Sequence, residues 1–368
     1  MLSRGDFLSK AFTDKAITVL NFVPAEFLEY DRKYKCNGYI SLVEIMEIVF
    51  DLNLNKKDGS GNYAWEHPRD VAAMGARIPE GLGYAERLQK FEELKNGWAV
   101  KLAHDILEDI FSAVRGKDGK PDATNFLRIL LRSKLPILEG FVKDMRAHKE
   151  EYKKLDVRGI FGKLLENVLV VKRGQPSEDT KKVVEALVRL TFEKPDGHHE
   201  FIPAKKRELY HKWVHGNIVE SEDELAIEGK YMDTINNTCA KRFAFTHDKN
   251  KSVEENILNI IGIKKDKIDK YSAEFENLEK QVLDWKFGKD SDLSLEEKLK
   301  QMVIKHGYPL EYLINREQSV ANMELLHLRL GYNKIKTIAI EVFPDGAQQF
   351  QDICKLAIAA GQGNGGRR

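Results

Sequence analysis

Trp98-Ala99-Val100-Lys101-Leu102-Ala103-His104-Asp105-Ile106-Leu107-Glu108-Asp109-Ile110-Phe111-Ser112-Ala113-Val114 carries the period that decides the fold. Ala99, Val100, Ala103, Ile106, Leu107, Ile110, Phe111 and Val114 recur at helical spacing and make one apolar stripe. Lys101, His104, Asp105, Glu108 and Ser112 then fall on the opposite face. The spacing predicts an amphipathic helix in which His104 and Glu108 form an ordinary solvated i, i+4 pair.

The same period extends outward in both directions. It predicts helices over Ile40 to Leu52, Pro68 to Ile78, Tyr84 to Lys95 closed by Asn96-Gly97, Ala123 to Arg132 and Pro136 to Leu155. Further helices are expected over Asp156 to Val171, Glu178 to Phe192, Ala204 to Val214, Lys265 to Phe287 and Pro309 to Leu330. Ser221 with Glu224, Ser252 with Glu255 and Ser294 with Glu297 have the capping-box spacing, in which hydroxyl and carboxylate satisfy N–H groups that a helix start leaves unpaired. Only Ile335 to Phe343, rich in Ile, Thr and Val, suggests a strand.

The expected fold is therefore mainly α-helical: two helical lobes, a short N-terminal arm and a flexible C-terminal tail. The expected divisions are 1–172 for the first lobe, 177–345 for the second, and 346–368 for a last helix and basic tail. A chain of 368 residues, 42% hydrophobic and 32% charged, buries a large core. No apolar run approaches the roughly 18 to 20 residues of a membrane span, and the first 20 residues lack a signal peptide's apolar centre. Cys36, Cys239 and Cys354 are too widely spaced for a metal knuckle or a disulfide framework, which fits a cytoplasmic protein, or a virion protein if viral.

Metal chemistry is one function the residues suggest. His104-Asp105 is preceded by His67, which opens an earlier helix 37 residues upstream. Two imidazoles and a carboxylate can hold a divalent ion with a position left open for water. In residues 60 to 115 the chain resembles the HD-domain metal-dependent phosphohydrolases. That resemblance implies a divalent metal at His67, His104 and Asp105, action on a nucleotide, and a later aspartate from another helix. Asp156, Glu166 and Asp179 lie in the expected range, none in a recognisable motif.

Two other metal patterns are weaker. Pro195-Asp196 with Glu228-Gly229-Lys230 has the elements of a PD-(D/E)xK nuclease, yet the capping signal at Ser221 puts Glu228 inside a helix where that chemistry needs a strand. His211 and His215 share a helix face but lack the glutamate of a zincin. No phosphate-binding P-loop, dinucleotide turn or nucleophile elbow occurs.

Charge favours binding over catalysis. The net charge is +1, but residues 115 to 194 hold 19 Lys and Arg against 12 Asp and Glu. Arg128, Arg132, Lys134, Arg146, Lys153, Lys154 and Arg158, with Lys172 and Arg173 in the loop beyond, can track a phosphate backbone without reading bases. Tyr152 and Phe161 are interleaved and available for stacking if exposed. In outline, a helical two-lobed chain with terminal arms and a basic groove is similar to the nucleoproteins of negative-strand RNA viruses. The leading expectation is accordingly a homo-oligomeric protein, assembled through its terminal arms, that binds single-stranded RNA between the lobes with no cofactor and no membrane. The HD phosphohydrolase and a helical scaffold are the alternatives.

Overall fold

A computed structural model describes residues 66–105, 107–108, 122–133, 139–168, 178–192, 203–239 and 265–326. The described part is about 80% helical, with 12 α-helices and no strand. Helix α1 spans Glu66–Ala73, α2 Tyr84–Ala103, α3 Ala123–Ser133, α4 Glu139–Ala147, α5 Lys149–Tyr152 and α6 Val157–Val168. Then follow α7 Glu178–Leu190, α8 Pro203–Asn217, a 3-10 turn Val219–Ser221, α9 Glu224–Thr238, α10 Lys265–Phe287, α11 Leu295–Ile304 and α12 Leu310–Leu326. No described helix is long and apolar enough to cross a membrane. The helix expected over Ile40 to Leu52, the capping pair Ser252 and Glu255, the strand expected over Ile335 to Phe343, the N-terminal arm and the C-terminal tail lie outside the described residues.

The chain forms two compact units, 1–230 and 231–368, and the division falls inside α9, which is unbroken across it. In the first unit, α2 packs on α1 and α7, and α6 packs on α3, α4 and α7. Phe91, Trp98, Val100 and Leu102 of α2, Val71 of α1, Leu187 of α7 and Phe161 and Leu164 of α6 are among its core residues. In the second unit α10, α11 and α12 pack on one another. Their core includes Phe275, Leu278, Val282, Leu299, Met302 and Tyr312. There the Arg316 guanidinium grips both Glu279 oxygens at 2.8 Å, and the Tyr231 hydroxyl donates to Glu279 Oε1 at 2.6 Å. Two-point contact of this kind satisfies a buried pair that would otherwise be costly.

Two helix boundaries depart from the sequence expectation, and both shape the site. First, α2 runs straight through Asn96-Gly97, where a stop is expected. Phe91, Trp98 and Leu102 stay buried on one side of it, and Trp98 Nε1 donates to the Ala76 carbonyl at 2.7 Å. Burying a large side chain stabilises by about 1.5–3 kcal/mol, more than the roughly 1 kcal/mol that a mid-helix glycine costs. Second, α2 ends at Ala103, so the expected Trp98-to-Val114 helix breaks at His104-Asp105.

Caps follow local chemistry. Ser294 and Glu297 form the expected box: Ser294 N–H donates to Glu297 Oε2 at 2.8 Å and Glu297 N–H to Ser294 Oγ at 3.3 Å. At α9 the cap is Asp223 rather than Ser221: Asp223 Oδ1 accepts from Leu225 and Ala226 N–H at 3.1 and 3.2 Å. Ser221 instead donates to the Ile218 carbonyl and closes the 3-10 turn. Asp156, one of the aspartates considered for a metal, caps α6 through Gly159 N–H at 2.7 Å.

Candidate metal centre

Helix α1 begins one residue before His67, which places this imidazole in its first turn. Trp98 and Gly75 then fix α1 against α2. Besides the indole bond to Ala76, Gly75 sits so close that an added Cβ would lie 3.2 Å from Lys101 Cδ. His104 and Asp105 occupy the turn directly after α2. His104 itself keeps helical dihedrals, φ −58° and ψ −32°, so the period still sets its direction, yet the face it occupies is covered and His104 is only 4% exposed.

His104 Nδ1 lies 2.7 Å from the Lys101 carbonyl. Only a ring N–H can make that contact with an acceptor, so in the neutral ring the lone pair is on Nε2. That arrangement, one ring nitrogen anchored to backbone and the other presented, is the one metal-binding histidines adopt. His104 Nε2 faces His67 Nε2 at 3.2 Å. Asp105 Oδ2 lies 3.4 Å from His67 Nε2 and 3.3 Å from His104 Nε2.

The fourth group comes from α9. His67, His104 and Asp233 each present a ligand atom within 4.8 Å of the other two. Their approach follows from the glycine one turn before Asp233. A Cβ at Gly229 would meet Val100 Cγ1 and Leu190 Cδ1, both at 3.2 Å, so any larger residue there must push α9 away from α2 and α7 or displace those side chains. Val100 is one turn before His104, as Gly229 is one turn before Asp233, so the contact sets both side chains at one level. Asn237, one turn further, donates to Asp233 Oδ1 and orients the carboxylate.

The donor set fits a divalent cation. For metal–ligand bonds of about 2.1 Å, ligands at 90° are about 3.0 Å apart and ligands at the tetrahedral angle about 3.4 Å apart. The three observed edges, 3.2, 3.3 and 3.4 Å, fall in that interval. A proton on His67 Nε2 would serve one of these contacts, whereas a cation among them serves all. Exposure is graded across the set: His104 and Asp233 are buried, His67 is partly exposed, and the Asp105 side chain is 36% exposed. One side of the centre therefore faces solvent. Mixed imidazole and carboxylate donors suit manganese, iron, cobalt, nickel or zinc better than an all-oxygen cation such as calcium.

Other residues singled out by sequence lie elsewhere. Glu166 is within 3.6 Å of Lys163, and the Asp179 side chain is outside the described residues. Glu228 pairs with Lys101 at 2.7 Å, and Lys230 stands over the Tyr210 and Trp213 rings. Both are on helix α9, which is not the strand setting of a PD-(D/E)xK site. His215, on α8, is 3.5 Å from Glu220.

Of the basic residues, Arg128, Arg146, Lys153 and Lys154 are exposed. Lys153 bonds Glu150 at 2.7 Å, and Arg158 donates to the Thr191 carbonyl at 3.2 Å. The Arg132 side chain, Lys134, Lys172 and Arg173 are outside the described residues. Tyr152 and Phe161 are core residues, with Tyr152 edge-on to Phe141 and bonded to Asp144, so neither presents a ring for stacking.

Asp233 is the site residue that sequence reasoning missed. Its signal was present but ambiguous: the acidic crowding from Glu220 to Asp233 reads as surface charge, whereas in the structure Asp233 is buried. No known family profile, no curated protein and no solved structure matches the chain.

Proposed function

We propose that this protein is a divalent-metal-dependent phosphohydrolase of the HD type. The observation that carries the reading is the convergence of His67, His104 and Asp105 with a buried aspartate, Asp233, from a distant helix. It supplies the later aspartate that the resemblance implies. In this reading His67 Nε2, His104 Nε2, Asp105 and Asp233 hold the ion. A divalent ion so held supplies Lewis acidity and makes a water nucleophilic at neutral pH. The Lys101 carbonyl keeps the His104 proton on Nδ1, and Asn237 sets the plane of the Asp233 carboxylate. Asp105 stands at the solvent-facing side, where a phosphoester, such as that of a nucleotide, would enter.

The test is metal content of the purified protein together with phosphate release from a panel of nucleoside mono-, di- and triphosphates. Chelation is expected to abolish release, and Mn2+ or Co2+ to restore it. Asp233→Asn and His104→Ala are expected to lower turnover by more than the roughly 10- to 100-fold that loss of an outer partner costs. A folded wild-type protein that retains no metal and releases no phosphate overturns the reading.

Nucleic-acid binding is a second, separable proposal. The exposure of Arg128, Arg146, Lys153 and Lys154 supports it, and its signature is affinity that falls steeply with salt.

A further inference from the structure

Lys101 is buried to 3% exposure in the last turn of α2, an unusual place for an ammonium. Its surroundings are built to receive it. The side chain runs over Gly75, where a Cβ would lie 3.2 Å from Cδ and 3.4 Å from Cε. Its Nζ lies over Gly97, where a Cβ would come within 3.2 Å. The mid-helix glycine that resembles a helix stop in sequence thus makes room for this ammonium. Nζ then reaches Glu228 Oε1 on α9 at 2.7 Å. The same residue's carbonyl accepts from His104 Nδ1 at 2.7 Å.

One residue therefore touches α9 five residues before Asp233, the turn that carries His104 and Asp105, and the turn that follows α1, the helix whose first turn carries His67. We propose that Lys101 is a positioning residue of the metal centre, its ammonium holding α9 in register with α2. This rests on the metal-centre reading above. A buried ion pair against well-packed apolar neighbours is often no gain in stability, so stability alone does not explain the two glycines that accommodate it. Setting a ligand-bearing helix does.

The experiment uses the full chain and Co2+, followed by visible absorption and calorimetry, in the wild type, Lys101→Met, Lys101→Met/Glu228→Gln and, as a surface control, Lys90→Met. Lys101→Met removes the ammonium from beside the Glu228 carboxylate and is expected to lose stability and to weaken Co2+ by about 10- to 100-fold, the range for outer-shell partners of a metal site. The double variant removes the Glu228 charge as well. It is expected to recover the wild-type melting temperature while keeping the weakened Co2+ affinity, a separation that a merely structural role would not produce. Lys90→Met, which loses only an exposed pair with Glu93, is expected to match the wild type. If the double variant recovers affinity and stability together, or if folded Lys101→Met binds Co2+ as tightly as the wild type, the positioning role is wrong and the metal centre stands. If the wild type itself takes up no Co2+, the metal-centre reading falls and this inference with it.

Discussion

Gly229→Ala separates two physical rules that point in opposite directions. Helix propensity favours alanine by roughly 1 kcal/mol in a helix interior, and Gly229 is the sixth residue of the 15-residue α9. The structure opposes it: the new methyl would lie 3.2 Å from both Val100 Cγ1 and Leu190 Cδ1. Carbon atoms pack best at about 3.5–4.0 Å, so α9 must retreat by at least about 0.3 Å or its neighbours must give. Overpacking of this kind costs about 1–3 kcal/mol, leaving a net destabilisation of between about zero and 2 kcal/mol. Asp233 is one turn along the same helix, about 6 Å away at 1.5 Å per residue, and would move with it. Metal–ligand distances tolerate about 0.2 Å, so the displacement exceeds the tolerance and Mn2+ affinity is expected to fall about tenfold. Urea denaturation with and without Mn2+, beside direct Mn2+ titration, reads both quantities. A variant more stable than the wild type by about 1 kcal/mol that binds Mn2+ within twofold would refute the account of how α9 is placed.

Two further outcomes follow from other parts of the fold. Asp144 is held below the ordinary carboxylate range: burial works against this, but the hydrogen bond from the Tyr152 hydroxyl and the charge and hydrogen bond of His148, with a smaller one from Asn167, outweigh it. A carboxyl whose folded pKa is lowered contributes stability that is present above its unfolded pKa of about 3.9 and lost as pH falls through the folded value. Urea midpoints should therefore fall less steeply below about pH 4 in Asp144→Asn than in the wild type, and equal slopes would exclude the effect. If the basic helices bind single-stranded RNA, log affinity should fall linearly with log salt, and Arg128→Ala/Arg146→Ala should reduce the slope by about one per lost phosphate contact; fluorescence anisotropy with a labelled oligonucleotide showing no binding at low salt would remove that proposal.

Much of the helical framework was legible because its causes are local. The apolar period over Lys265 to Phe287 reproduces α10 residue for residue, and Ser294 with Glu297 marks the start of α11. Three of the four metal-binding candidates were also legible, as His67 and the His104-Asp105 pair. Asp233 was not. Nothing in α9 distinguishes its carboxylate from the acidic residues around it until Gly229 allows the helix to approach Val100. Contact across roughly 130 residues of sequence is a property of packing, which periodicity does not encode. The stop expected at Asn96-Gly97 failed for a related reason: Gly97 answers to the Lys101 ammonium above it, a demand for space that looks in sequence like a demand for a turn.

The two readings of His104 differ over a single assumption, that the polar face of α2 is wet. A 3.6-residue period assigns His104 and Asp105 to the face opposite Ala103 and Leu107, and if that face were wet solvation would explain them fully. The backbone at His104 stays helical, φ −58° and ψ −32°, so its side chain keeps the direction the period assigns; what differs is that this face is covered, with His104 only 4% exposed. On that covered face His104 Nε2 and Asp105 Oδ2 lie 3.3 Å apart. The last turn then leaves a carbonyl, that of Lys101, for the His104 ring to bond. The helix end thus supplies the acceptor that fixes the imidazole tautomer. A His-Asp pair whose histidine the fold buries on a polar helix face is therefore stronger evidence for a metal centre than the pair alone, because solvated polar residues require no burial.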